Sequence, residues 1–285
     1  MSGSRMNLPS PRVGHDVRSL RERVERKLYR AHKKVRQRFR QGLPRTHVFV
    51  AGMQRSGTNM LMEVLEWNPY TDVYHETDRR AFDENYLMRQ PAVIRGLAET
   101  SHAPFFIIKS LCELDRLHSL LNDFSPAKAV WIVRDYQDST NSAVRSFANF
   151  VPQMRRLAAD KNADLWRGHG MSDATQALLR KVAELDPSEL DGAAMMWFYR
   201  NVLFFEQNLQ QDRRVAVLRY EDLVSEPQAT LQRLCHFLGI LDCGPWMTRY
   251  IHDASIRKRQ APDLLPAVAS ACTELMGRFE ALELL

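Results

Sequence analysis

From His47 onward the chain alternates short apolar runs with stretches whose apolar positions recur at helical spacing. That alternation is the pattern of a parallel sheet with helices on both faces. The runs predict strands over Val48–Ala51, Asp72–Tyr74, Phe105–Lys109, Ala129–Val133 and Val215–Leu218. All but Asp72–Tyr74 are dense in bulky apolar residues, as suits strands covered on both sides. Helices are expected over Thr58–Glu66, Glu113–Asn122, Ser139–Asn149 and Leu190–Gln211, one opened by Pro227, and a last one over Leu264–Leu284. Asn149 to Gly170, with Pro152, Trp166 and two glycines, reads as a loop or lid over a cleft. Ahead of His47, Val17, Leu20, Val24, Leu28, Ala31, Val35 and Phe39 lay one narrow apolar stripe along a helix.

The densest signal is His47-Val-Phe-Val-Ala-Gly-Met-Gln-Arg-Ser-Gly-Thr-Asn-Met-Leu61. It predicts a buried strand, a tight loop bounded by Gly52 and Gly57, and a helix opening at Thr58. Such a unit is a ready phosphate site, because unpaired backbone N–H groups converge at the helix start. The Gly52-x-x-x-x-Gly57 spacing is that of a Walker A loop, yet Thr58 and Asn59 stand where that motif has Lys and Ser or Thr. The cation sits inside the loop, at Arg55. Ligands of open parallel sheets gather beyond the carboxyl ends of the strands. Four predicted strands deliver polar residues there: Arg55 with Ser56, Glu76, Lys109 with Ser110, and Arg134 with Asp135.

Composition narrows the class. With 285 residues and 45% apolar content the chain can bury one substantial core, read as one catalytic domain over residues 45–285 with an arm over residues 1–44. No apolar run is long enough to span a membrane, and the first 46 residues hold no signal-like apolar segment. Cys112, Cys235, Cys243 and Cys272 lie far apart, as expected of free thiols in a reducing cytosol. Charge is concentrated in the arm: Val17 to Gln41 holds eleven Lys or Arg against two Glu, so the rest of the chain is about −3. The arm has three open readings: a helix docked on the domain or on a second subunit, an amphipathic helix on an anionic membrane, or a polyanion-binding segment. Nucleic acid is not the expected partner, and the oligomeric state stays open.

The second anion element is Val130-Trp-Ile-Val-Arg-Asp-Tyr-Gln-Asp-Ser-Thr-Asn-Ser142. Arg134 leaves a strand and Ser142 follows on the next helix, a pair suited to an anionic group some distance from the first. Here the chain resembles a known family. Gln54-Arg-Ser-Gly-Thr58 is similar to the 5′-phosphosulfate loop of sulfotransferases, and Arg134 with Ser142 resembles their 3′-phosphate motif. Val217-Leu-Arg-Tyr-Glu-Asp-Leu223, ahead of the Pro227 helix ending at Gly239, resembles a further landmark. Together these cover roughly residues 47 to 240. The resemblance implies a P-loop NTPase-like α/β fold, here with a basic N-terminal helix. It also implies 3′-phosphoadenosine 5′-phosphosulfate (PAPS) as sulfuryl donor, held by Arg55, Ser56, Gly57, Thr58, Asn59, Arg134 and Ser142, with no metal. Arg257 and Lys258 resemble a late basic element closing over the 3′-phosphate; a solvated charge run is the other reading. Arg at position 55, where cytosolic members usually carry Lys, is more like the carbohydrate, tyrosyl-protein and bacterial branches.

The acceptor hydroxyl needs a base. Cytosolic sulfotransferases place a His two residues after the lysine ending the middle strand, but this chain reads Lys109-Ser110-Leu111-Cys112. Val73-Tyr-His-Glu-Thr77 instead resembles the segment where the tyrosyl-protein and carbohydrate branches place a catalytic Glu. Glu76 is therefore the expected base, with His75 the alternative and an ion pair to Arg79 or Arg80 the structural reading. Lys109 is expected at the leaving-group oxygen or in a structural ion pair. Glu221 or Asp222 is expected to cap backbone N–H groups at a junction. The expected function is transfer of a sulfuryl group to a hydroxyl of a carbohydrate, lipid or small molecule, in the cytoplasm, with membrane contact through the arm among the open readings. A nucleotide-dependent kinase and an inactive membrane- or polyanion-recruited adaptor are the alternatives.

Overall fold

The computed structural model describes residues 20–38, 45–241, 243–248, 251 and 261–285. Five strands, β1 (Thr46–Ala51), β2 (Thr71–Tyr74), β3 (Phe105–Ser110), β4 (Ala127–Val133) and β5 (Val215–Arg219), form one sheet in the order β2-β3-β1-β4-β5. Every neighbouring pair is parallel. The expected central parallel sheet flanked by helices is thus present, and each predicted strand lies within an observed one.

The helices are α1 (Leu20–Arg38), α2 (Thr58–Glu66), α3 (Pro91–Thr100), α4 (Leu117–Asp123), α5 (Tyr136–Ser146), α6 (Phe150–Ala159), α7 (Asp173–Ala183), α8 (Glu189–Glu206), α9 (Tyr220–Ser225), α10 (Pro227–Leu238) and α11 (Pro266–Glu280). Val48, Val50, Ile107 and Ile132 pack on one face of the sheet with α2 and α10, while Phe49, Phe106, Trp131 and Val133 pack on the other with α8 and α11. Alternating strand residues serve opposite cores, so almost nothing polar is tolerated between them. Both sheet edges are covered. Gln37 of α1 donates to the Thr71 carbonyl of β2 at 2.8 Å, and the Leu285 N–H reaches the Val217 carbonyl of β5 at 3.0 Å. Covering an edge strand removes a template for aggregation.

Three expectations change. The segment expected to be a loop or lid contains α6, which buries Phe150, Val151, Met154, Leu157 and Ala158 against α7 and α8. Pro152 lies in its first turn, where a missing N–H costs nothing. The Glu189 carboxylate accepts from the Phe150 and Val151 N–H groups at 2.8 and 3.1 Å. The helix expected from Ser139 begins at Tyr136, because Asp135 caps it by accepting from Gln137 and Asp138. The helix expected over Glu113–Asn122 is a 3₁₀ turn, Leu114–Arg116, running into α4.

Candidate active site

β1 lies between β3 and β4, so the loop leaving its carboxyl end opens where the chain changes direction across the sheet. Gly52, Arg55 and Gly57 all have positive φ, at 149°, 69° and 98°. For glycine that is inexpensive, but for Arg55 it is a strained conformation that its surroundings must hold. Ser56 supplies part of the hold: its N–H and its hydroxyl both bond the Met53 carbonyl, at 3.3 and 2.5 Å. Arg134 supplies another part, its Nη1 donating to the Arg55 carbonyl at 3.4 Å. Gly57 packs against the Tyr220 ring so closely that a Cβ would overlap it. Gly57 also caps α2 without a side chain, leaving the first N–H groups of that helix directed at the cleft.

The cleft encloses about 430 Å³ and is lined by Arg55, Gly57, Thr58, Asn59, Glu76, Lys109, Arg134, Ser142, Arg145 and Tyr220. Residues from the ends of β1, β2, β3 and β4 therefore meet at one place. Arg55 Nε donates to Ser142 Oγ at 3.0 Å. That bond joins the Arg55 loop to α5, the helix that carries Ser142. Arg134 lies over the Tyr220 ring at 4.5 Å, with Asp138 at 3.8 Å. Arg55 has its pKa lowered, first by burial and then by the charges of Arg134 and Arg145.

Glu76 and Lys109 form the other half of the cleft. Lys109 Nζ, almost fully buried, donates to Glu76 Oε1 and to Asn59 Oδ1, each at 2.6 Å. Burial lowers the Lys109 pKa while Glu76 opposes the shift. The ion pair read as structural for Glu76, with Arg79 or Arg80, is not formed: Arg80 pairs with Asp78 and Arg79 bonds the Asp83 carbonyl. His75 points the other way, into a separate hollow of about 590 Å³ between α1 and the β2 edge. Its pKa is lowered chiefly by burial.

The strand-end serines and Asp135 are not cleft residues. The Ser56 hydroxyl is turned inward, Ser110 is buried outside the lining, and Asp135 is spent on its helix cap. Glu221 accepts from the Asp135 N–H at 3.1 Å, the junction role expected of that acidic pair. Arg257 and Lys258 lie outside the described residues. Tyr220 and Arg145 were missed as cleft residues. Tyr220 follows the end of β5, and Arg145 stands one helical turn beyond Ser142; either position was a readable signal.

The profile of the sulfotransferase domain matches residues 45–263. The chain belongs to the sulfotransferase family. No curated protein matches it. Among solved structures, the sulfotransferase domain from the curacin biosynthetic pathway covers 86% of this chain and all of its own, with 16% identity and a TM-score of 0.52. The sulfotransferase domain of the Synechococcus PCC 7002 olefin synthase covers 86% of this chain and 98% of its own, at 17% identity and TM-score 0.47. STF9 from Mycobacterium avium covers 92% and 83%, at 14% and 0.44. The curacin likeness bears on the fold alone, and there this sulfotransferase agrees with it.

The donor set fits a phosphosulfate donor. Three guanidinium groups, those of Arg55, Arg134 and Arg145, a helix start without a side-chain cap, and hydroxyls from Thr58 and Ser142 line the cleft, and all of them favour anions. Among the described residues there is no cluster of His, Cys, Asp and Glu able to hold a metal ion.

Proposed function

We propose that this sulfotransferase uses PAPS and transfers its sulfuryl group to a hydroxyl of a carbohydrate, lipid or small-molecule acceptor, with Glu76 as general base. The observation carrying this reading is the Lys109-bound Glu76 carboxylate in the same cleft as Arg55, Arg134 and Ser142. The Gly57–Asn59 helix start with Arg55 would hold the 5′-phosphosulfate, and Arg134 with Ser142 the 3′-phosphate. Bound there, the donor supplies an electrophilic sulfur and a phosphate leaving group.

The protein's own part is positioning and charge. Lys109 engages Glu76 Oε1 and so orients the carboxylate, leaving Oε2 to take the acceptor proton. Asn59 fixes Lys109 from its other side, at the first turn of α2, which puts a cation where leaving-group charge would develop. Arg55 matches the planar spread of charge over nonbridging oxygens. Residues 45–285 form the catalytic unit and residues 1–44 its appendage, and four free thiols accord with a cytoplasmic site.

Glu76→Gln tests the base. Release of 3′,5′-adenosine bisphosphate from PAPS, followed with a pool of alcohols and sugars, should slow by about 10²–10⁴-fold with bisphosphate affinity unchanged. Turnover at the unsubstituted rate would remove Glu76 from the role.

A further inference from the structure

Helix α1 docks by the face an amphipathic helix normally exposes. Lys33, 6% exposed, donates to the Glu66 carbonyl at 2.7 Å and to Thr71 Oγ1 at 2.9 Å, and Gln37 donates to the carbonyls of Pro69 and Thr71. Arg26 and Arg30 pair with Glu66, and the Tyr29 ring packs on Trp67. The part of the apolar stripe from Val24 to Val35 is on the opposite side, Val17 and Phe39 lying outside the described residues. Val24, Leu28 and Val35 are 48%, 67% and 52% exposed, and Ala31 between them is exposed as well. At about 100° per residue, these four fall within one narrow strip facing away from Lys33 and Gln37.

The surroundings of the strip say what it fits. Trp246, itself 37% exposed, shares a shallow depression with Leu28 and His32, so an aromatic ring continues the apolar surface beyond the helix. Lys27, Lys34 and Arg38, all exposed, run along one border, and His32, Glu25 and the exposed Arg36 along the other. An apolar strip with a cationic border on one side, flanks that are net positive and a Trp alongside matches the boundary between lipid headgroups and acyl chains. A second copy of the same face would set like charges against one another, and a polyanion would use the cations while leaving the strip in water.

We propose that the outer face of α1, with Trp246, seats the protein on an anionic lipid surface, the helix lying parallel to the bilayer. This surface is separate from the cleft and does not rest on the sulfotransferase mechanism. The full-length protein would be sedimented with vesicles of phosphatidylcholine alone and of phosphatidylcholine with one third phosphatidylglycerol. Binding is expected to the second and not the first, and to weaken as salt rises. Leu28→Glu and Lys34→Glu should each lower the bound fraction by about tenfold; both side chains are exposed, so circular dichroism and donor binding should stay unchanged. No binding to anionic vesicles overturns the proposal. So does binding lost in Lys34→Glu but untouched by Leu28→Glu, which marks a purely electrostatic polyanion surface. Dimers in light scattering that Leu28→Glu dissolves would equally overturn it, by assigning the strip to a second copy.

Discussion

Along α1, the cations Arg26, Arg30 and Lys33 meet a carboxylate, a backbone carbonyl and a threonine hydroxyl within the fold, whereas in the cleft Arg55 has Arg134 and Arg145 as its charged neighbours. Both regions are rich in positive charge, and both lower the pKa of a buried or half-buried cation. Lys33 is brought down to about 7, chiefly by burial, with Glu66 and Asp72 opposing. The difference lies in what answers the charge. Cations satisfied by the protein's own acceptors hold a helix in place. Cations gathered beside one another around an open cleft suit an anion from outside, even with Asp138 beside Arg134 and Ser142 bonded to Arg55. Lys109 stands between the two cases, buried like Lys33 yet paired with a carboxylate that lines the cleft.

Exchanging one cation from each region should separate these roles. Arg55→Ala should lower transfer by about 10³-fold or more, on the scale of losing a charged donor to transition-state oxygens. Because its side chain lines an open cleft and its hydrogen bond there is to Ser142, the melting temperature should hold. A variant that stays active, or one that unfolds, would break the contrast.

Lys33→Met should act on stability and its pH dependence, leaving transfer intact. The folded pKa of Lys33, about 7, lies below the ordinary lysine value of 10.5. Between those limits the unfolded chain binds more protons than the folded one, so the Lys33 contribution to stability rises with pH. Below about 7 both states are protonated and the cost of burying the charge is full. The stability of the unsubstituted protein relative to Lys33→Met should therefore climb from pH 7 toward 10, by at most about 1.4 kcal/mol per pH unit. A difference that stays flat across that range in urea titrations would mean Lys33 keeps its proton on folding.

What could be read from the sequence followed the same division. Strands buried on both faces leave long apolar runs, so β1, β3, β4 and β5 were legible almost to their ends. The cleft residues were legible because they sit at strand ends beside glycines or helix starts. The α6 segment was not, since Pro152 signals a break unless its place in the first turn is known. Neither α3 nor α7 was seen, although Pro91 and Ser172 mark their starts, because each buries only a few positions. The docking face of α1 was hidden for a deeper reason. Its apolar stripe left docking, membrane and polyanion readings open, and the helix docks through Lys33 and Gln37, whose acceptors on β2 and α2 are set by the tertiary fold. Periodicity finds a helix and its faces, but tertiary hydrogen bonding decided which face turned inward.

The proposed donor carries a 3′-phosphate and a 5′-phosphate on one adenosine, and the cleft is expected to bind both. Calorimetric titration of the purified protein with 3′,5′-adenosine bisphosphate, without metal, tests it most directly. Micromolar binding is expected, weakened by about 10–100-fold in Arg134→Ala, the scale of one lost charged hydrogen-bonding partner. Binding of ATP with magnesium in place of the bisphosphate, or bisphosphate binding indifferent to Arg134, would contradict it.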